Sequence, residues 1–475
     1  MNAHWNSICN QTISRRELLK SSSLGFGNLA LLSILAEQAR ADATASHNPL
    51  AAHKPMFPAR AKRVIFVFLH GGPSQVDTFD PKPLLTRDHG KPLPFEKPRI
   101  VSSPTGALLK SPWDFKHYGK SGIEVSDLFP HLGSCVDDLC FINSMNGSNS
   151  RHGGALLELH TGSDTFVRPS MGSWITYGLG TENQNLPGFI TVCPTLTHGG
   201  VNNWSSAFLP AAYQGTPIGN ASIPAERAKI PFIDNRDTPR NIQRKEIDLT
   251  NSLNRDRLRE EGPDAALQGR IDSFELAFRM QSAAPELQEI TGESDATHKL
   301  YGLDEAKTKD FGRQCLMARR FSERGVRFVQ ITHSYKWDQH SDLKRDHTSN
   351  AAEVDLPISG LIKDLKSRGL LKDTLVVISG EFGRTPCAQG TDGRDHNPQG
   401  FTTILAGGGV KSGIRYGATD EYGYYAVQDK VHIHDLHATI LYLLGIDHLK
   451  LTHQYAGRNF RLTDVHGVVV KGVLS

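Results

Sequence analysis

Carboxylate and imidazole side chains recur in short polar stretches of this sequence, in combinations that suit metal binding. A set that mixes oxygen and nitrogen donors favours zinc, manganese or iron over calcium, which prefers oxygen ligands. We therefore expect a divalent metal cofactor such as zinc or manganese, as one or two ions. The candidate metal ligands are His70, Asp338, His340, Glu381, Asp395 and His396.

Four apolar, β-branched runs lie beside these polar stretches. They cover residues 63–69, 326–331, 374–378 and 401–406, and each is typical of a strand buried on both faces. A helical pattern over 355–367 lies between the second run and the third. Strand, helix and strand at this spacing predict an α/β fold with an open, mostly parallel sheet flanked by helices.

The candidate ligands lie at what becomes one edge of this sheet. His70 directly follows the first run, and Glu381 follows the third. Asp338 and His340 follow the second run, whereas His396 shortly precedes the fourth. Open α/β sheets bind ligands beyond the carboxyl ends of their strands, so side chains from separate strands can converge there.

Each candidate also has a purely structural interpretation. His70 could be a hydrogen-bonded histidine behind a buried strand, and Glu381 could form an ion pair with Arg384. The stretches around Asp338 and Asp395 could be exposed loop and turn. Their shared position at one sheet edge favours a metal site over four independent structural roles.

The N-terminus carries the features of an export signal. Residues 14–20 have the sequence SRRELLK, a mildly apolar run covers 24–35, and the small residues Ala39 and Ala41 form a candidate A-x-A cleavage site. The arginine pair resembles the twin-arginine (Tat) signal, and an amphipathic helix is the alternative. We predict a signal peptide over 1–41, the Tat translocase as a partner during export, and a periplasmic or otherwise extracytoplasmic location.

Composition excludes several classes of protein. The net charge of +3 over 475 residues includes no basic cluster, so we expect no nucleic-acid partner. After the signal, no segment reaches about 18 consecutive apolar residues, so the processed chain should have no stable membrane span. No G-x-G-x-x-G motif follows the first run, which argues against a nucleotide-dependent oxidoreductase.

The predicted domain organisation is simple. A polar linker over 42–61 precedes one α/β domain over 62–475. Within that domain, residues 195–304 are more polar and more charged than the rest. We expect this segment to be an insertion that caps the sheet.

Four motifs make the sequence similar to a known family. They are VIFVFLHGGPSQVDTFDPKP at 64–83, GEFGRTP at 380–386, GRDHNP at 393–398 and GRNFRLTDVHG at 457–467. Together they resemble DUF family 1501, an uncharacterised exported family related to the alkaline phosphatase and sulfatase superfamily. The resemblance covers nearly the whole chain after the signal, and it implies the α/β fold of that superfamily.

The resemblance also implies metal ligands, at positions that match the superfamily only in part. His70 stands where the superfamily has an aspartate after the first strand. Asp338 and His340 are spaced D-x-H, closer than the usual D-x-x-x-H. Glu381 and Phe382 stand where the superfamily has an Asp-His pair, so only the first of these two positions keeps a ligand.

The nucleophile position departs from the superfamily pattern. Residues 151–162 are similar to the sulfatase motif C-x-P-S-R-A-A-L-L-T-G, and His152 occupies the register of the nucleophile. A histidine can attack, bind a metal or act as a general acid, and Ser150 or Ser148 could serve instead. Because the proline and arginine of the motif are missing, a formylglycine-type sulfatase is not expected.

The remaining candidates complete the chemistry that the resemblance implies. His396 matches the histidine that precedes the last strand of the superfamily, and Asp395 would be a ligand or would orient an imidazole. Arg384 would bind an anionic oxygen of the substrate with its planar guanidinium. The predicted substrate is an anionic ester.

Three functional hypotheses stay open at this point. The first is an exported metal-dependent hydrolase of phosphate or sulfate esters. The second is a catalytically degenerate, sulfatase-like fold that acts as an extracytoplasmic binding protein. The third is another metal-dependent activity, such as group transfer.

Overall fold

The computed structural model of the chain describes residues 49–96, 104–231, 233, 235, 237–262 and 264–475. The predicted signal peptide and the first residues of the predicted linker therefore lie outside the described residues. The described part of the linker is held against the domain, since the N–H of His53 donates to the carbonyl of Leu179 at 2.9 Å. Pro49–Ser475 forms one compact unit.

Seventeen strands occur in the described chain, and most of them are short. They are β1 (Arg63–Leu69), β2 (Phe115–Tyr118), β3 (Ile123–Ser126), β4 (Leu139–Asn146), β5 (Phe189–Val192), β6 (Thr216–Ile218), β7 (Phe328–His333), β8 (Thr374–Ser379), β9 (Gly383–Gln389), β10 (Gly393–Asn397), β11 (Phe401–Ala406), β12 (Ile414–Tyr416), β13 (Ala418–Thr419), β14 (Ala426–Gln428), β15 (Val431–His432), β16 (His453–Tyr455) and β17 (Arg458–Phe460).

Nine of these strands form one large sheet. Its order is β12-β4-β11-β8-β1-β7-β5-β6, with β15 also pairing with β4. Strands β8, β1, β7, β5 and β6 run parallel to one another, and β12 and β15 run parallel to β4. Within this described sheet only β11 runs antiparallel to its neighbours, β8 and β4. The predicted open, mostly parallel sheet is confirmed.

The four predicted strands are present as β1, β7, β8 and β11, although β7 begins two residues later than predicted. Their β-branched and aromatic residues are buried on both faces, as the continuous apolar runs indicated. Val64 and Val67 in β1 are fully buried. Burial of one such side chain stabilises the fold by about 1.5–3 kcal/mol.

Eleven α-helices flank the sheet in the described chain. They are α1 (Gln75–Thr78), α2 (Pro83–Arg87), α3 (Pro130–Gly133), α4 (His152–Thr161), α5 (Met171–Leu179), α6 (Arg240–Glu261), α7 (Ala265–Gln288), α8 (Asp295–Leu300), α9 (Lys309–Glu323), α10 (Leu343–Ser367) and α11 (Ile433–Leu443). Short 3₁₀ turns cover Val136–Asp138, Gly200–Trp204, Ala211–Tyr213, Leu371–Asp373 and Lys471–Val473.

Helix α10 connects β7 to β8, as the βαβ prediction required. The predicted helix over 355–367 is its C-terminal half, and the helix begins twelve residues earlier, at Leu343. The early turns also face the core, because His347 and Ala351 are both buried. Among the described helices, none is both long enough and apolar enough to cross a membrane.

The polar segment 195–304 contains both sheet and helix. Strand β6 extends the edge of the large sheet by pairing with β5, so this part of the segment belongs to the sheet itself. Helices α6 and α7 contact each other, and Arg244 of α6 forms a bidentate ion pair with Glu275 of α7 at 2.9 and 2.8 Å. Whether the segment acts as a cap stays a prediction.

Candidate metal centre

Five strand termini meet at one edge of the large sheet. Strands β1, β4, β7 and β8 are oriented alike, so their carboxyl ends share this edge. Strand β11 is antiparallel, so its amino end lies at this edge. A residue that precedes β11 can therefore lie beside residues that follow the other four strands. His70, Glu381 and the 335–340 loop follow β1, β8 and β7, and α4 follows β4.

Asp338 lies at the centre of the cluster. Its Oδ1 lies 3.2 Å from Nε2 of His152, 2.9 Å from Nε2 of His340 and 3.1 Å from Nε2 of His396. Arg384 donates to the same oxygen at 2.6 Å. Burial opposes ionisation, but the three imidazoles and the guanidinium lower the pKa of Asp338 far below its ordinary value.

Two of these imidazoles have their tautomers fixed by neighbouring acceptors. Nδ1 of His396 donates to the carbonyl of Ser150 at 2.7 Å, and Nδ1 of His340 donates to Oε1 of Gln389. A proton on Nδ1 leaves a lone pair on Nε2, and the two Nε2 atoms lie 3.0 Å apart. In neutral rings these two lone pairs would repel each other, and a cation between them would relieve the repulsion. The hydrogen bond with Asp338 also raises the pKa of His340, which favours a proton at this position in the metal-free protein.

The hairpin of β9 and β10 accounts for the position of His396. His396 pairs with Arg384 across this hairpin, so one small element carries both side chains to the centre. Phe382 stands where the superfamily resemblance places a ligand, and its ring stacks on His396 with centroids 4.5 Å apart. Asp395 accepts a hydrogen bond from the backbone N–H of His396 at 2.8 Å. Its carboxylate also lies close enough to His340 and His396 to form a ligand set with them.

Glu381 is a fully buried carboxylate that connects β8 to β1. It accepts the backbone N–H of Gly71 at 3.1 Å from each oxygen, and it contacts Nδ1 of His152 at 2.6 Å. Burial raises its pKa, but the hydrogen bond from His152 and the nearby imidazole of His70 more than offset this and lower it to about 2. The carboxylate is therefore ionised at neutral pH.

Gly71 is required at this point of the chain. Its φ is +118°, a conformation that side chains rarely adopt, and an added Cβ would lie 2.7 Å from the backbone nitrogens of Trp337 and Asp338. Only glycine lets the loop that carries Asp338 approach the end of β1 this closely.

His70 and His198 form a second group that shares His152 with the first. Nε2 of His70 lies 3.2 Å from Nδ1 of His198, and Nδ1 of His70 is buried with no hydrogen-bond partner among the described residues. Burial lowers the pKa of His70 to about 4 and also lowers that of His198. Both rings are therefore neutral at pH 7, as metal ligands must be.

His198 was missed by the sequence prediction, as was Tyr335. His198 follows β5, whose four-residue run is too short to distinguish from the polar segment that it begins. Its φ of 51° is a left-handed conformation that is uncommon outside glycine. Tyr335 donates to Oδ2 of Asp338 at 2.6 Å, and its ring centroid lies 4.7 Å from that of His198. Asp338 was predicted from the sequence, but its tyrosine partner three residues earlier carried no signal of its own.

The residues present fit a divalent metal. At this edge the described chain offers three overlapping sets of donor atoms, and the atoms of each set lie within 4.8 Å of one another: His152–Asp338–His396, His70–His152–His198 and His340–Asp395–His396. Nε2 of His152 is buried without an aligned hydrogen-bond partner, although it lies close to Asp338. Orphaned imidazole nitrogens around a carboxylate suit zinc, manganese or iron, and the identity of the ion stays open.

The predicted role of Arg384, binding an anionic oxygen of the substrate, stays a prediction. The side chain is fully buried, and its guanidinium donates to the carbonyls of Gly71, Gly72, Trp337 and Arg394 as well as to Asp338. This geometry favours a positioning role, in which Arg384 holds the loops that carry the ligands. It does not pair with Glu381, which was the structural alternative.

The candidate nucleophiles lie beside the centre. His152 begins α4 and is held between Glu381 and Asp338; although burial opposes protonation, these two carboxylates raise its pKa. Ser150 contributes its carbonyl oxygen to His396, and Ser148 donates or accepts at 3.1 Å with His432, away from Asp338. His152 contacts Asp338 directly, through its ring nitrogen Nε2 at 3.2 Å.

Several solved structures are similar to this chain. The lipoteichoic acid synthase LtaP from Listeria monocytogenes is similar with a TM-score of 0.37 and 12% identity, over 90% of this chain and 80% of that one. An alkaline phosphatase from the Antarctic bacterium TAB5 gives 0.34 and 11%, over 81% and 98%. The PsFucS1 sulfatase from Pseudoalteromonas sp. gives 0.33 and 12%, over 82% and 68%.

No curated protein matches the chain by sequence. The sequence pattern of one family matches residues 61–474, which is nearly all of the described chain. The family that the four motifs predicted is thereby confirmed. The chain belongs to the family described as protein of unknown function DUF1501.

Proposed function

We propose that this chain is a metal-dependent hydrolase of phosphate or sulfate esters. One observation carries the proposal: the Nε2 atoms of His340 and His396 lie 2.9 and 3.1 Å from a single carboxylate oxygen of Asp338. Transfer of a phosphoryl or sulfuryl group requires that negative charge on its oxygens be neutralised, and donors arranged in this way suit that task.

A bound divalent ion would supply Lewis-acid stabilisation of the ester oxygens and a water molecule of lowered pKa. The chain's own residues would orient the donors, since hydrogen bonds fix the rings of His340 and His396. With the ion held by Asp338, His340 and His396, His152 would stay outside the ligand set and carry a proton at Nε2 towards the leaving oxygen, because Glu381 stabilises the charged ring through Nδ1.

The substrate class follows from the same donors. An anionic ester would meet imidazole rings and an ion at the sheet edge, while Arg384 stays occupied by backbone carbonyls. The phenol of Tyr335, whose residue is 40% exposed, is the group best positioned to contact the organic part of the ester.

The test is a hydrolysis screen with an aryl phosphate and an aryl sulfate, each with added zinc or manganese. We expect turnover of at least one ester by the wild-type protein, and loss of about 10²-fold or more in Asp338→Asn, which keeps the side-chain shape. Asp373→Asn, at an exposed ion pair with Lys62, is the matched control and should keep full activity. Wild-type protein that binds metal and hydrolyses neither ester would contradict the proposal.

A second candidate function is an extracytoplasmic binding protein without catalysis. Two observations favour it: Phe382 fills a ligand position of the related superfamily, and Arg384 is fully engaged with the protein itself. This alternative predicts that metal-loaded protein binds phosphate or sulfate in calorimetry but leaves both aryl esters intact.

We also propose export through the twin-arginine pathway, with the Tat translocase as the partner. The proposal is supported by the SRRELLK sequence that contains Arg15 and Arg16. Replacing both arginines with lysine should keep the chain out of the periplasmic fraction, while a single conservative change at Lys20 to Arg should not. Equal periplasmic amounts of the double variant and the wild type would contradict it.

A further inference from the structure

A second cluster of potential ligands lies outside the candidate metal centre. Glu158 is on α4, His432 precedes α11, and His434 is in the first turn of α11. Each offers one ligand atom, and the three atoms lie within 4.8 Å of one another. None of the three belongs to the donor sets around Asp338 or His70.

Glu158 is a buried acid without a full counter-charge. Only 2% of the residue is exposed, and one carboxylate oxygen accepts the backbone N–H of Ser148 at 2.9 Å. The other oxygen lies 3.5 Å from Nε2 of His432, whose side chain is 29% exposed. A buried carboxylate is costly unless an opposite charge or several donors surround it.

His434 supplies the second, independent observation. The residue is only 8% exposed, and its Nε2 donates to the carbonyl of Gly162 at 3.0 Å. That hydrogen bond places the ring proton on Nε2 and a lone pair on Nδ1. Nδ1 is buried and has no hydrogen-bond partner in the part of the chain that the structure describes. A metal-binding histidine usually donates one ring N–H to a backbone carbonyl or a carboxylate, which leaves the lone pair of the other ring nitrogen for the metal.

We propose that Glu158, His432 and His434 form a second divalent metal site. One carboxylate and two imidazoles suit zinc or a similar transition metal, and the partly exposed side of His432 leaves room for water as a further ligand. Binding at Nε2 of His432 would move the ring proton to Nδ1. The 3.3 Å contact that Nδ1 accepts from the N–H of His434 would then be lost.

The site would act on the loop that separates the two clusters. Ser148 contacts both Glu158 and His432, and two residues later the carbonyl of Ser150 orients His396. An ion on Glu158 would therefore fix the 147–151 loop between β4 and α4 and stabilise the orientation of His396. This role adds to the proposed hydrolase function and does not depend on it.

The test counts zinc ions retained by the full processed chain. Metal-free protein is loaded with zinc and desalted, and the equivalents are measured by inductively coupled plasma mass spectrometry. The variants are Asp338→Asn and the same chain with Glu158→Gln added, because glutamine keeps the shape of Glu158 and an acceptor for the N–H of Ser148. His466→Ala is the matched control, since this exposed ring stacks on His434 without belonging to the donor set.

We expect Asp338→Asn to retain one equivalent that the double variant lacks, and His466→Ala to bind as the wild type does. Cobalt loading of Asp338→Asn should give visible absorption bands of a low-symmetry site, absent in the double variant. Equal zinc content and equal cobalt spectra in the two variants would overturn the proposal. If Glu158→Gln does not fold, His432→Gln in the same background must show the same loss, and unchanged binding there would overturn it equally.

Discussion

Removing the carboxylate of Asp338 should destabilise even the metal-free protein, and the structure gives the magnitude. Arg384 is fully buried and donates to Asp338 at 2.6 Å, and Tyr335 donates to the other oxygen at 2.6 Å. Breaking one partner of a buried ion pair costs about 3–5 kcal/mol. In Asp338→Ala, Arg384 keeps its hydrogen bonds to backbone carbonyls. We therefore expect the free energy of unfolding to fall by an amount near the lower end of this range, about 3 kcal/mol.

Asp338→Asn removes the charge of the side chain but keeps its shape and one oxygen that can accept hydrogen bonds. The amide oxygen can still accept from Arg384, so only the difference between charged and neutral hydrogen bonds is lost, about 1–2 kcal/mol. Urea unfolding at pH 7 with a chelator measures both variants. Asp373→Asn, whose side chain is 31% exposed, should change the free energy of unfolding by less than about 1 kcal/mol. If Asp338→Ala unfolds at the wild-type urea midpoint, Asp338 does not balance the buried guanidinium, and the reasoning fails.

Three further predictions rest on separate contacts. Burial raises the pKa of Glu353, but its hydrogen bonds, first that from His333, more than offset this and lower the pKa to about 2. Because this pKa is lower than in the unfolded chain, ionised Glu353 stabilises the fold above about pH 4.5, and this stabilisation is lost as the pH falls. Glu353→Gln should therefore lower the free energy of unfolding by about 1–2 kcal/mol at pH 7, allowing for solvent screening of a side chain that is 21% exposed, and by much less at pH 3, as urea titrations can show. Gly71→Ala should cost at least about 1–3 kcal/mol and reduce retained metal, because its Cβ would meet backbone at 2.7 Å; wild-type melting and metal content would contradict this. Gln389→Leu should weaken metal binding about 10–100-fold by freeing Nδ1 of His340, and unchanged affinity in a competitive chelator titration would count against it.

Sequence predicts those features of the fold that local pattern determines. The runs that became β1 and β8 are continuously apolar, so their burial on both faces and their place in a parallel sheet follow from composition. Strand ends at one edge then bring Asp338 and Glu381 together without further information.

Other features depend on long-range geometry that no local pattern encodes. The direction of β11 decides that His396 reaches the centre, and a strand's apolar run is the same in either direction. The environment of Arg384 arises from three separate segments that meet around one side chain: Gly71–Gly72, Trp337–Asp338 and Arg394. His198 lies in a polar segment whose spacing gives no indication that β5 precedes it.

The central claim is that side chains from several strands bind a divalent ion at one edge of the sheet. The most direct test is a crystal of the zinc-loaded protein with diffraction recorded on both sides of the zinc absorption edge. We expect an anomalous peak within bonding distance of Asp338, His340 and His396. Anomalous density confined to surface residues, with hydrogen bonds alone joining those three side chains, would contradict the claim.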